Sequence, residues 1–411
     1  MSRKQSIFSE SSINSGILEK RTRKVSVDEE TLLKYDQFYK TTKSLLVLFQ
    51  IMGVMPIMRT SPGRTTFYWT SKATVYAYFL FTIETIYVTI IFKERLNIML
   101  EPGKRFDEYI YNIIFLSILI PHFLVPIASW RGGPEVAKFK NMWTHFQVRY
   151  LRLCGEPLMF PSLTVITWSL CIFSWVLGIV IMGAEFLLQP DLLWWHTLAF
   201  YHVFATLNGL CALWYVNCTA MGGACRGMAK SLKIALEGPD PSVKLAEYRH
   251  LWGDLSHMMQ QLGKAYSNMY GMYCIVILFT TITASYGCLA EILDHGFSEK
   301  LSGLILIVFY CMGILYTICN EAYHASRRVR MLFQDRLLCI NLSIVDKRTR
   351  QEIDLFLTSI QKNPPIMNLN QYLNIDRELI TTTVKNIVTY LVVLMQIKLT
   401  LLRSTKSKTD K

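Results

Sequence analysis

The chain has 411 residues, of which 52% are hydrophobic and only 18% charged, where a soluble domain carries roughly 25% charged residues. Its apolar residues fall in long uninterrupted blocks, which excludes an ordinary water-soluble globule. The net charge of +13 raises the question of nucleic acid, but Lys and Arg sit between the apolar blocks, where they orient a membrane chain; no nucleic-acid partner is expected.

Residues 1–44, with RKQSIFSESS and EKRTRKVSVDEE, are polar and lack the apolar core of a cleavable signal. They read as a disordered cytosolic tail. Residues 45–71 follow, beginning with an apolar stretch from Leu45 to Met58 that is short and broken by Gln50, Gly53 and Pro56. This stretch reads as an interfacial or re-entrant helix with a linker.

Crossing the hydrocarbon takes about 20 apolar residues as a helix, because a helix satisfies its own backbone polar groups in lipid. Seven stretches qualify, at approximately Lys72–Phe92, Glu108–Trp130, Phe160–Leu188, Leu193–Gly222, Tyr266–Leu293, Leu301–Tyr323 and Thr383–Leu402. Lys and Arg concentrate in the N-terminal segment and between spans two and three, four and five, and six and seven. The positive-inside rule therefore puts the N-terminus in the cytosol and the C-terminus outside, with the basic end LLRSTKSKTDK as the one local violation. This orientation is inverted relative to a G-protein-coupled receptor. Were Leu45 to Met58 to cross as well, there would be eight spans and an external N-terminus.

The outer connections are short, with QPDL between spans three and four and Asp294 to Lys300 between five and six. Mass outside the membrane is thus expected on the cytosolic side. After the Gly-Pro-Asp-Pro break at 238–241, Leu245, Tyr248, Leu251 or Trp252, Leu255, Met258 or Met259, and Leu262 recur every three or four residues. That stripe predicts a protein-packed helix running into span five. A second such helix is predicted from Arg350 to Gln361, with Ile353, Phe356, Leu357 and Ile360 on one face, stopped by Pro364 and Pro365. Residues 72–326 then form spans one to six with their cytosolic extensions, and residues 327–411 a cytosolic helix, the last span and a short outer tail.

Several classes are disfavoured. No internal repeat points to an inverted-repeat transporter. The ten Cys show no CxxC pair and read as small packing residues. The eight His are scattered without HxxxxD or HxxxH spacing, so no enzyme, no metal site and no cofactor are expected.

The last span, TVKNIVTYLVVLMQIKLTLL, carries the most chemistry. Asn386, Thr389, Val393, Gln396 and Thr400 recur at spacings of three and four and define one strip down the helix. An amide in hydrocarbon costs several kcal/mol unless paired or hydrated, so the strip faces a partner or water. Two readings stand: an interhelical hydrogen-bond seam, or a pore lining in which Val393 gates by dewetting and Gln396 forms a neutral polar ring. Lys398 lies about 200° around the helix from Gln396 and points away from that strip.

In the predicted orientation the outer halves of the spans carry Glu84, Tyr87, Tyr109, Asn112, Trp194, Trp195, His196, Tyr201, His202, Tyr286 and Tyr310. Of these Glu84, Tyr87, Tyr109, Trp195, His196, His202 and Tyr286 are the candidate ligand-binding residues, the alternative being core packing or an interfacial aromatic belt. Glu84 needs a partner inside a span, and His202 or His196 could supply it, as a structural ion pair or as a ligand contact.

The segment Thr389-Tyr390-Leu-Val-Val-Leu-Met-Gln396 resembles the C-terminal signature of insect gustatory receptors, Thr-Tyr, five apolar residues, then Gln-Phe, with Ile397 in place of the Phe. RTSPGRTTFYWTSKATVYAYF at 59–79, LVPIASWRGGPEVAKFKNMWTHFQVRY at 124–150 and WWHTLAFYHVFATLNGLCALWYVN at 194–217 resemble the carbon dioxide receptor branch of that family. The resemblance implies an all-α ligand-gated nonselective cation channel in the plasma membrane of sensory-neuron dendrites. It implies a homo- or hetero-tetramer with related subunits, its last helices around a central pore above a cytosolic helical anchor. The small-molecule ligand implied is carbon dioxide; a histidine beside Glu84 would let it act through protonation as well as by direct binding. The alternatives are a receptor channel for sugars or other tastants and, more distantly, a G-protein-coupled receptor.

Overall fold

The computed structural model describes residues 34–61, 63–100, 106–188, 193–343 and 345–409. Residues 1–33 of the expected tail and the QPDL connection lie outside the described residues. In chain order the elements are α1 (Gln37–Ile51), β1 (Met58–Ser61), β2 (Arg64–Thr66), α2 (Lys72–Leu100), α3 (Phe106–Cys154), α4 (Leu163–Leu188), α5 (Thr197–Leu236), α6 (Pro241–Ala265), α7 (Ser267–Asp294), α8 (Glu299–Leu338), α9 (Lys347–Lys362), β3 (Asn368–Leu369), β4 (Leu373–Asn374) and α10 (Arg377–Thr409). The strands form two small antiparallel hairpins. Seven helices, α2 to α5, α7, α8 and α10, are long and apolar enough to cross a bilayer, so the chain is a multi-pass, all-helical membrane protein.

Helices α3, α5 and α8 have 49, 40 and 40 residues, which at 1.5 Å per residue makes them about 60 to 73 Å long. The hydrocarbon is about 30 Å thick, so all three project beyond it. They do so at the same end of the bundle, where α6 and α9 pack; this is the anchor end. Helix α3 runs unbroken through Pro121, Pro126, Gly132, Gly133 and Pro134, where the span was expected to stop at Trp130. Each proline removes one backbone hydrogen bond from the helix. Gly133 is needed there because a Cβ would sit 2.6 Å from the Phe67 ring.

The amphipathic stripe of α6 is buried as its period demands, with Leu245, Tyr248, Leu251, Trp252, Leu255, Met258, Met259 and Leu262 all in the core. Trp252 Nε1 donates to the Val329 carbonyl at 2.9 Å, and Phe356 of α9 packs between Trp252 and Phe333. Asp346 caps α9 by accepting from the Arg348 and Thr349 amides. Helix α6 passes into α7 with a break only at Tyr266.

Two boundaries differ from the sequence reading. Helix α1 begins at Gln37, inside the stretch read as a disordered tail, because Asp36 caps it and Phe38 stacks on Trp143 at 4.2 Å. Phe38, Leu45 and Phe49 are fully buried, so α1 is a core element of the bundle. Helix α10 continues to Thr409, through most of the segment read as a short outer tail.

Candidate pore helix and ligand site

Helix α10 leaves the anchor through the β3–β4 hairpin. That hairpin lies directly on α6: a Cβ at Gly263 would meet the Asn368 carbonyl oxygen at 2.5 Å and its nitrogen at 2.7 Å. The Leu369 carbonyl accepts from the Tyr372 amide at 3.0 Å across a turn in which Asn370 and Gln371 both have positive φ. Arg377 then fixes the first turn of α10, donating to Asn320 Oδ1 at 2.7 Å and stacking on the Tyr323 ring at 4.3 Å.

Along the span one row of α10 packs against the bundle. Thr383, Ile387 and Lys398 are buried, with Leu391 and Leu394 partly so. Thr389, Val393, Gln396 and Thr400 each lie two residues beyond a member of that row, which is about 200° around the helix, and all four are exposed, as is Asn386. Only 6% of the apolar window of α10 is buried, against 17% to 72% for the other six spans. The hydroxyls of Thr389 and Thr400 donate to the carbonyls of Lys385 and Gln396 on their own helix. The Asn386 and Gln396 amides make no side-chain hydrogen bond among the described residues. Tyr390 of the signature is exposed beside the strip.

Lys398 occupies the packed row. Its Nζ reaches Asp294 Oδ2 at 2.5 Å and the Ala290 carbonyl at 3.4 Å. This ties the far end of α10 to the end of α7.

The candidate ligand residues fall into separate groups. Glu84 Oε1 lies 3.4 Å from His202 Nε2, and His122 joins them, its Nε2 3.1 Å from Thr85 Oγ1. A second group gathers at the far ends of α2 and α5. There the Tyr87 hydroxyl donates to the Trp195 carbonyl, and the His196 ring sits between Glu94 Oε2 at 3.1 Å and Arg95 Nη2 at 3.3 Å. His196 is therefore the partner of Glu94, and His202 that of Glu84. Tyr286 is buried on α7 and Tyr109 half-buried near the start of α3.

The sequence reading missed a cleft of about 330 Å³ between α4, α5 and α8, lined by Phe173, Ser174, Asn208, Tyr215, Phe309 and Tyr310 among others. Asn208 organises it, donating to the Ser174 carbonyl at 3.1 Å and accepting from the Tyr310 hydroxyl at 2.8 Å. A polar amide inside span four was the available signal. A second missed residue is Glu185, a buried carboxylate in α4 whose oxygens have no hydrogen-bond partner among the described residues.

Comparison with known proteins gives a consistent result. The family model described as 7tm chemosensory receptor matches residues 42–401. The chain is 59% identical to gustatory and odorant receptor 22 of Anopheles gambiae over 93% of its own length and 83% of that protein's. It is 55% identical to gustatory and odorant receptor 21a of Drosophila melanogaster, over 91% and 83% of the two chains. Among solved structures, the insect olfactory receptor OR5 from Machilis hrabei superposes with a TM-score of 0.64 at 14% identity, covering 88% of this chain and 99% of that one. The same receptor in complex with eugenol gives a TM-score of 0.62 over the same shares, at 12% identity. At such identities the likeness is one of fold.

Proposed function

The chain belongs to the 7tm chemosensory receptor family, and from that premise we propose that it is one subunit of a ligand-gated cation channel whose pore is lined by α10. The observation that carries this reading is the division of α10 into a packed row and an opposite, uncovered polar strip. Asn386 and Gln396 make no side-chain hydrogen bond among the described residues, and amides left in hydrocarbon are costly. Four such helices around an axis would put Asn386, Thr389, Val393, Gln396 and Thr400 against water, while Lys398 stays on the packed side. Weak cation selection then comes from neutral polar groups and Thr oxygens, since the strip has no acidic ring.

In this reading residues 72–326 sense the ligand, and residues 327–411 couple the cytosolic anchor to the pore. The positive-inside distribution of Lys and Arg supports a cytosolic N-terminus and an outer C-terminus. The plasma membrane of sensory-neuron dendrites is the expected location. The motifs at 59–79, 124–150 and 194–217 support carbon dioxide as the stimulus and a related receptor subunit as the partner.

Cysteine substitution at each position from 386 to 400, followed by a membrane-impermeant thiol reagent during current recording, tests the pore. Modification should block or alter current at 386, 389, 393, 396 and 400 and spare 387, 391 and 394. Equal reactivity around the helix removes α10 from the pore. Recording currents with and without a related subunit, during pulses of carbon dioxide and of sugars, tests the stimulus.

A further inference from the structure

Two buried polar atoms line a void the size of a single water molecule between α3 and α5. The void measures about 10 Å³ and is bounded by Pro121, His122, Pro126, His202, Val203 and Thr206, and one water-sized sphere needs roughly that volume. His202 Nε2 and Thr206 Oγ1 are both shut off from solvent and have no hydrogen-bond partner among the described residues. Pro121 and Pro126 lack an N–H, so each leaves the carbonyl four residues back, at Ser117 and His122, without its helical donor. His202 Nε2 and Thr206 Oγ1 are thus the unpartnered polar atoms of residues that line the void, among the described residues.

Glu84 of α2 approaches the two histidines. Glu84, His122 and His202 bring one ligand atom each to within 4.8 Å of one another. Glu84 Oε1 and His202 Nε2 lie 3.4 Å apart without forming a hydrogen bond. Two ligands at about 2.0 to 2.1 Å from a tetrahedral zinc ion stand about 3.3 to 3.4 Å apart, so the pair is spaced as neighbouring ligands of one ion. The ring of His122 is held by Thr85 Oγ1 at 3.1 Å and by stacking on Phe81 at 5.3 Å. Such outer contacts orient a metal-ligating imidazole.

We infer that Glu84, His122 and His202 form a binding site for one divalent transition-metal cation of the zinc type, with its fourth position open toward Thr206. Two neutral imidazoles and one carboxylate match the ligand preference of zinc, and three protein ligands leave room for water or a small oxygen ligand. The cation also answers the cost of a carboxylate inside a span. The sequence reading expected no metal because the three residues lie on three different helices with no recognisable spacing. The site stands whether or not α10 lines a pore.

The test uses the full chain purified in lipid nanodiscs, stripped with a chelator, its Cys residues blocked by alkylation, and equilibrated with Zn²⁺ alone. One zinc per chain is expected by elemental mass spectrometry, and Co²⁺ in its place should give the intense visible absorption of a tetrahedral site. His122→Ala, His202→Ala and Glu84→Gln should each lose the ion, while His250→Ala, in the anchor, keeps it. Zn²⁺ should raise the melting temperature of the wild type and of His250→Ala only, which separates lost binding from lost folding. Sub-stoichiometric zinc with no cobalt spectrum would mean that the void holds only a water, and zinc retained by His122→Ala and His202→Ala would place the ion elsewhere; either result overturns the site.

Discussion

Lys398 of α10 and Asp294 at the end of α7 form a 2.5 Å ion pair, with the lysine side chain 9% and the aspartate 18% exposed. The pair sits on the side of α10 opposite the polar strip, where it joins the packing of Leu391 and Leu394 in tying that helix to its own subunit.

Removing one partner leaves the other as an uncompensated charge, a loss of about 3 to 5 kcal/mol for a buried pair. Lys398→Met and Asp294→Asn should each lower thermal stability in fluorescence-detected size-exclusion assays. The double variant should recover most of the loss. Losses that simply add would show that the pair is not energetically coupled.

Val393→Ala widens the expected constriction and Gln396→Ala removes the polar ring beside it. The first should raise unstimulated current, because a hydrophobic constriction gates by dewetting. The second should change relative cation permeability. Surface labelling should match wild type in both, and unchanged conductance and selectivity in both would exclude the strip as the permeation path.

Gly263→Ala forces a methyl group into the backbone of Asn368. Overpacking of this kind costs about 1 to 3 kcal/mol, and the atoms it meets are main chain, which cannot rotate away. Reduced stability and weakened gating are expected. Gly253→Ala on the same helix meets nothing within 4 Å and serves as the control.

Asn208→Ala leaves the Ser174 carbonyl and the Tyr310 hydroxyl without their partner, at about 1 to 3 kcal/mol of stability. Tyr310→Phe removes one hydroxyl and should cost less. A melting curve for each variant checks the order; the reverse order would mean that Asn208 does not organise the cleft.

An epitope inserted in the N-terminal segment should be inaccessible to antibody in intact cells and exposed after permeabilisation. Labelling of intact cells would reverse the orientation and favour the topology of a G-protein-coupled receptor.

Local periodicity made much of this architecture legible. The seven spans, the α6 stripe and the face of α9 each follow from residues a turn apart, and the direction of Lys398 follows from helical rotation alone. That Glu84 needs a partner was readable because a carboxylate inside a span is costly, but the choice between His202 and His196 was not, and the structure gives His202. What escaped depends on how helices cross. Polar interruptions hid the burial of α1, which rests on Phe38 meeting Trp143 of another helix. The span was read to end near Trp130, yet α3 continues as one helix through Gly132, Gly133 and Pro134. The convergence of Glu84, His122 and His202, and the cleft around Asn208, each assemble residues from three helices, and no spacing in one segment encodes them.

The β3–β4 hairpin gives α10 a fulcrum. Its tight turn leaves no slack between the anchor and the first turn of the last helix, and Gly263 lets main chain rest on main chain beneath it. If α10 lines the pore as proposed, a small tilt of α6 would reach α10 as leverage about Arg377, with the Lys398 tether limiting the swing at the far end. A longer, looser connection would let the same tilt dissipate as coil motion.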